Sequence, residues 1–296
     1  GKDKVGEKVA LTGNGSVARG IVEAGVKVMS HYPGFPTEAI ADLVAFCAED
    51  HGIYMECSVN EKVAFEVAAA AAMSGVRSAT LMKDVGLNVA MDAVMPLVHT
   101  GVKGGMVIIG GDDPGALTSP TEMDLRGYAR YLRIPCFDPS NCQEAKEMVL
   151  DAYDVSEEVE LPVLLRITAQ LAYGRGKVEL GPINSEKRNK KPNFEKNIFR
   201  WFIFGDIAMG RKEWIYGQLK KIQDISNNSR FNVLKEGKGR LGVVTTGRAS
   251  VYVADAIAEL GLNDDLNLLK IGMSYPLPED KLKRLFDKTD KLLIVE

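Results

Sequence analysis

Short, continuous apolar runs alternate along the chain with stretches whose apolar positions recur at helical spacing. Runs at Val26–Met29, Ile53–Val59, Ser78–Met82, Met106–Ile109, Pro135–Phe137 and Pro162–Ile167 predict strands. Between them, Thr37–Ala48, Glu61–Met73, Leu87–His99, Glu122–Leu132 and a segment running to Val155 predict helices, as does Ser16–Ala24 before the first strand. Unbroken apolar strands separated by amphipathic helices predict a parallel sheet covered on both faces, an α/β fold. Gly25 ends the first helix, and Thr37, Asn60 and either Ser140 or Asn141 are placed to cap later ones.

The pattern changes after Ala172. Asn184–Lys196 is polar and lysine-rich and reads as a solvated linker, whereas Phe199–Ile225 holds both tryptophans and has helical spacing, as expected of an arm packed on a domain. Alternation resumes with strands at Leu241–Thr245, Leu266–Ile271 and Lys291–Val295 and helices at Ser250–Leu260 and Pro278–Phe286. The predicted organisation is an α/β domain over residues 1–180, a linker and helical arm over 181–238, and a second α/β domain over 239–296. That second domain ends on a strand without a closing helix, as an incomplete one would.

Composition narrows the function. The 37 basic and 40 acidic residues give a net charge of −3, which offers no broad electrostatic basis for binding nucleic acid or an anionic membrane. No apolar run approaches the ~20 residues of a membrane span, and Gly1-Lys2-Asp3-Lys4 does not open a signal peptide; a cytoplasmic location is expected. Cys47, Cys57, Cys136 and Cys142 form no Cys-x-x-Cys pair and are expected to be buried free thiols, so the chain alone should hold no iron–sulfur cluster of ordinary spacing. His31, His51 and His99 show no metal-ligand spacing.

The polar and glycine-rich clusters fall after the strands: His31–Pro36, Asn60-Glu61, Lys83–Gly86 and Gly110–Gly115. Loops at the carboxyl ends of parallel strands line one edge of a sheet, so these four should gather there. Gly13-x-Gly15 has only part of the dinucleotide-binding spacing and no convincing βαβ strand before it. Glu61, in the first turn of an alanine-rich helix, has two readings at this level. It complements the positive helix end, or it is a carboxylate delivered into a cleft.

The motifs themselves resemble those of a known family. Gly13–Gly20, Tyr32-Pro33-Gly34-Phe35-Pro36-Thr37, Ser58-Val59-Asn60-Glu61-Lys62, Met82-Lys83-Asp84-Val85-Gly86-Leu87-Asn88, Asp112-Asp113-Pro114-Gly115 and Ile271–Pro278 are similar, in order, to the indolepyruvate:ferredoxin oxidoreductase α subunit. The resemblance covers nearly the whole chain, Phe199–Lys221 being its least familiar part. It implies a pyrimidine-binding domain followed by a domain of transketolase C-terminal type, and oxidative decarboxylation of an aryl-pyruvate-like 2-oxoacid to an acyl-CoA with thiamine diphosphate. Glu61 is implied as the catalytic carboxylate against the aminopyrimidine, with Lys83, Gly86 and Asn88 as further cofactor contacts. Tyr32, Pro33, Gly34 and Phe35 are implied on the substrate side, and Arg126 is a candidate to pair either with substrate or, structurally, with a carboxylate neighbour. No metal ligand is implied on this chain. Mg2+, the diphosphate site and the iron–sulfur clusters belong to partner domains or chains, with ferredoxin, coenzyme A and the 2-oxoacid as further partners.

The sequence departs from the family pattern at Phe35, where a small hydroxyl residue is usual, at Asp84, and at Leu117, before Thr118-Ser119. Phe35 implies a more apolar pocket or a lost contact. Two alternatives therefore accompany the main reading: a non-catalytic structural subunit of such a complex, and a non-oxidative 2-oxoacid decarboxylase component.

Overall fold

The computed structural model describes residues 4–118 and 122–296, so Ser119 and the first three residues lie outside the described residues. Strand β1 (Lys8–Thr12) leads into α1 (Gly13–Glu23), β2 (Val28–His31) into α2 (Glu38–His51), β3 (Tyr54–Cys57) into α3 (Glu61–Met73), and β4 (Ser78–Lys83) into α4 (Asp84–Thr100). Then come β5 (Met106–Asp112), α5 (Leu125–Leu132), β6 (Cys136–Phe137), α6 (Cys142–Val159), β7 (Val163–Thr168), the short α7 (Ala169–Tyr173) and β8 (Arg175–Glu179). Helices α8 (Ser185–Asn189), α9 (Ile198–Trp201) and α10 (Gly205–Asn228) connect to β9 (Val233–Lys235), β10 (Leu241–Thr246), α11 (Ala249–Glu259), β11 (Leu266–Ile271), β12 (Met273–Tyr275), α12 (Glu279–Lys288) and β13 (Lys291–Val295).

The main sheet has the order β12-β6-β7-β5-β4-β2-β3, parallel throughout except for β12. Every residue of β5 and β7 is buried, which explains their unbroken apolar runs. Helix α1 packs on both α2 and α6, as does α4 on α3 and α5, and their apolar stripes close the core against the strands. The second sheet, β13-β10-β11-β9, is parallel apart from β9 and has a much smaller core around Val243, Leu266 and Leu269. The architecture is mixed α/β, as the strand and helix periods predict.

Several local expectations are revised. Thr37 makes no capping bond, because its hydroxyl turns to the Gly34 carbonyl at 3.4 Å. Asn60 and Asn141 do cap, accepting from Val63 N and Glu144 N at 3.0 Å each. Lys83–Gly86 is not a loop: α4 begins at Asp84, directly on the end of β4. Cys136 and Cys142 are buried thiols, but Cys47 is half-buried and Cys57 is exposed at the end of β3. The stretch before Gly13 does form a strand, yet it pairs antiparallel with β8 in a separate two-stranded sheet, so it is no part of a βαβ unit.

Helix α10 is tied down rather than free. Arg211 donates to the carbonyls of His99 and Thr100 at 2.7 and 3.0 Å, satisfying the last turn of α4, and stacks on Trp214. Further on, buried Asn232 accepts from Gly272 N and Met273 N at 2.9 and 2.8 Å and donates to the Ser226 carbonyl, joining the end of the arm to β12.

The 181–196 segment is also anchored. Arg77, only 4% exposed, binds Glu157 and Asp154, and Lys187 of α8 reaches Glu157 at 2.8 Å. Burial alone would raise the Glu157 carboxyl, but hydrogen bonds from Arg77 and Lys187 outweigh it and hold the group at about 2. A depressed carboxyl contributes stability above its ordinary value of 4.5 and loses it as pH falls toward 2. Urea unfolding across that window should therefore show a steeper loss for the wild type than for Glu157→Gln; parallel curves would remove this ion cluster from the acid response.

Candidate active site

The carboxyl ends of β2, β3, β4 and β5 lie along one sheet edge, and the residues that follow them meet. Asn60, extended at φ −163°, turns the chain from β3 into α3 and leaves Glu61 in the first turn, half-buried. The Glu61 carboxylate makes no hydrogen bond or ion pair among the described residues. It lies against Gly86 in the first turn of α4, where a β-carbon would come within 2.7 Å of Glu61 Cγ and Oε1. A larger residue there would push the carboxylate out of this position, a packing relation that the sequence shows only as an isolated Gly.

The neighbouring clusters close around this pair. The chain after β2 folds back so that a β-carbon on Gly34 would sit 2.9 Å from Lys83 Cβ, at the end of β4. Pro36 and the Phe35 carbonyl press onto Gly111 of β5, at 2.8 and 3.2 Å from the position a β-carbon would take there. Asn14, at the start of α1, donates to the Pro36 carbonyl at 2.9 Å. Glu61, Gly86, Lys83, Gly34 and Phe35 thus form one contiguous edge. Tyr32 and Pro33 are exposed on it, and Asn88 is exposed on α4 just beyond Gly86.

Phe35 packs its ring on Tyr173 of α7, centroids 5.7 Å apart, and the Tyr173 hydroxyl donates to Glu38 at 3.0 Å. Burial, with the Glu38 bond adding to it, pushes that phenol up to about 12. Asp84 is fully buried, with Oδ1 accepting from Val85 N at 2.7 Å and Oδ2 without a partner. Leu117 is exposed and lines a different space.

Arg126 does not join the Glu61 group. It sits at the start of α5, bound to Asp124 and, at 2.8 Å, to Glu296, and lines a cleft of about 570 Å³ between the exits of β5 and β7 and the second sheet. Beneath that cleft lies a network that sequence reasoning missed. Arg166 of β7 binds Asp112 at the end of β5 and Asp138 after β6, the latter at 3.1 Å, and Thr246 of β10 donates to Asp138 at 3.2 Å. Asp112 is wholly buried, and burial, only partly offset by Arg166, pushes its carboxyl up to about 6. The available signal was the repeated placement of charged residues at the ends of otherwise apolar strands. Among the described residues no group of three or more His, Cys, Asp or Glu could hold a metal ion, and no helix is long and apolar enough to cross a membrane.

A carboxylate without a partner among the described residues, in a glycine cradle at a strand-to-helix turn on the carboxyl edge of a parallel sheet, lies where α/β ligand-binding domains hold their ligands. Comparisons with known proteins give that class a family. Residues 19–202 match the family model described as "Pyruvate flavodoxin/ferredoxin oxidoreductase, thiamine diP-bdg". The indolepyruvate oxidoreductase subunit IorA of Thermococcus kodakarensis is 42% identical over 299 residues, which cover 99% of this chain and 46% of that relative. Among solved structures, the 2-oxoglutarate:ferredoxin oxidoreductase from Magnetococcus marinus with 2-oxoglutarate, coenzyme A and succinyl-CoA bound aligns over 97% of this chain and 57% of that one, with a TM-score of 0.78 at 14% identity. A split-gene transketolase, an inactive β4 tetramer, aligns over 96% of this chain and 79% of that one at a TM-score of 0.59 and 14% identity, a likeness of fold. The chain belongs to the pyruvate flavodoxin/ferredoxin oxidoreductase family, and it spans about half the length of the IorA relatives it matches.

Proposed function

We propose that the chain is the pyrimidine-binding part of a 2-oxoacid:ferredoxin oxidoreductase subunit that converts aryl-pyruvate-like substrates to acyl-CoA. The observation that carries this reading is the half-buried, unpartnered Glu61 carboxylate in the Gly86 cradle. Such a group fits a heteroaromatic ring whose nitrogen becomes protonated when a carboxyl group faces it, as that of an aminopyrimidine does. Thiamine diphosphate, when bound, supplies the electron sink that decarboxylation of a 2-oxoacid requires.

The task of Glu61 is to accept and hold a proton at the ring nitrogen, so that proton transfer at the reacting end of the cofactor becomes feasible near neutral pH. Lys83 and Asn88 border the same edge, Tyr32–Phe35 form the substrate wall, and Arg126 is the cationic edge of the neighbouring cleft. The Phe35 ring on Tyr173 offers an apolar face to a bulky side chain. The diphosphate and its Mg2+, the iron–sulfur clusters, and docking of coenzyme A and ferredoxin are assigned to other domains or subunits.

Counting thiamine diphosphate sites by titration of the purified complex tests the reading, with one site per chain expected. A complex that carries this chain and binds no cofactor would instead support the structural-subunit alternative. A second expectation concerns Gly86→Ala. Alanine is ordinarily the better helix residue by about 1 kcal/mol, so the variant should keep its thermal midpoint. Its methyl group displaces the Glu61 carboxylate, and thiamine diphosphate affinity should fall by roughly tenfold or more, the worth of one charged hydrogen bond. Unchanged affinity would mean that Glu61 does not touch the cofactor.

A further inference from the structure

The cleft of about 570 Å³ holds three arginines, and among the described residues one of them has a guanidinium without a carboxylate partner. Arg126 is engaged by Asp124 and Glu296, and Arg166 by Asp112 and Asp138. Arg248, where β10 passes into α11, has no ion pair among the described residues. Its one hydrogen bond is a long one, 3.3 Å from Nη1 to the Ser140 carbonyl, and its buried Nε–H finds no acceptor. The guanidinium lies 5.7 Å from the ring centroid of Tyr252, whose hydroxyl donates to Gln170 Oε1 across the cleft at 3.2 Å. Among the described residues, Arg248 and Glu296 are the charged residues on the second-sheet wall of this space.

An unpaired, partly desolvated guanidinium beside an aromatic ring is a receptor for a planar oxyanion attached to an apolar body. The helix start adds little to it. The amides of Ser250 and Val251 are already bonded to the carbonyls of Gly247 and Arg248, so recognition falls to the side chain. The acidic groups nearby, Glu122, Asp124 and Glu296, disfavour a dianion such as phosphate and favour a single carboxylate. We propose that Arg248 anchors the carboxylate of an organic acid in the interdomain cleft, with the Tyr252 ring flanking the bound carboxylate. Taken with the oxidoreductase reading, on which this step rests, Arg248 is a specificity-determining contact for the 2-oxoacid, supplied by the second domain.

The test uses the intact complex and two probes, phenylpyruvate and phenylacetate, which share a carboxylate but differ in the 2-oxo group. Calorimetric titration should show both binding to the wild type, with Arg248→Gln weakening both by ~10-fold or more and Arg248→Lys recovering part of the loss. In turnover, Arg248→Gln should raise KM for phenylpyruvate and leave kcat within about twofold, the signature of lost uniform binding. Arg240→Gln, which breaks an exposed pair with Asp290 elsewhere in the second domain, should bind both probes as the wild type does. Equal binding of the probes by Arg248→Gln and the wild type, or equal losses in Arg240→Gln, would overturn the assignment. Arg248-dependent binding of both probes without turnover of phenylpyruvate would uphold the carboxylate site and count against the oxidoreductase reading.

Discussion

Replacing Glu61 with glutamine should lower 2-oxoacid-dependent reduction of an artificial one-electron acceptor by the assembled complex by ~10²-fold or more. Glutamine keeps the size and polarity of the side chain, and its amide can occupy the same space beside Gly86. What it loses is the capacity to hold a proton. The helix start should survive, because Asn60, not Glu61, caps α3. Assembly with partner subunits and the thermal midpoint should therefore match the wild type. The loss should also apply to every 2-oxoacid alike, since the role proposed for the group is on the cofactor and not on the substrate side chain. Turnover preserved within a few-fold would remove Glu61 from the chemistry, and a loss confined to bulky substrates would move it to the substrate pocket.

The second large effect concerns stability. Arg166→Met leaves Asp112 and Asp138, 0% and 1% exposed, without the cation that compensates both. Breaking one side of a buried ion cluster typically costs about 3–5 kcal/mol, because the remaining charges stay desolvated. The pH dependence has a definite sign. Asp112 titrates at about 6 in the folded protein against 3.8 ordinarily, so the folded state binds its proton more tightly. The contribution of this group to stability therefore falls as pH rises from about 4 to 6. Removing Arg166 raises the Asp112 carboxyl further and extends that fall to higher pH. Urea unfolding should show a larger deficit for Arg166→Met at pH 8 than at pH 5. A deficit below about 1 kcal/mol, or one that does not vary with pH, would mean that solvent reaches these carboxylates.

The parallel sheet was legible because β5 and β7 are buried on both faces and so carry unbroken apolar runs. The order of its strands was not, since period alone does not say which run lies beside which. The missed strands share a physical reason. β8, β9 and β12 are short or edge strands, and β8 has the mixed sequence Arg-Gly-Lys-Val-Glu because one side faces solvent. At the site, the convergence of four strand ends followed from topology, and Asn60 read correctly as a cap. The tight contact of Glu61 with Gly86 joins residues 25 positions apart on two helices, which no local pattern encodes. Arg248 escaped notice for a similar reason. Its lack of a partner is a property of its surroundings, and the sequence shows only an arginine at a helix start.

Strand β12, which follows β11 of the second sheet, belongs to the main sheet and pairs with β6 beside buried Asn232. The two sheets are consequently stitched together by main-chain bonds as well as by side chains. Swinging one away from the other means unzipping part of a β-ladder, so free hinge opening at this seam is disfavoured. The width of the space between Arg126 and Tyr252 is thereby coupled to the integrity of this short ladder. A ligand at the proposed Arg248 site would then be selected by its fit to that width more than by closure of the cleft around it.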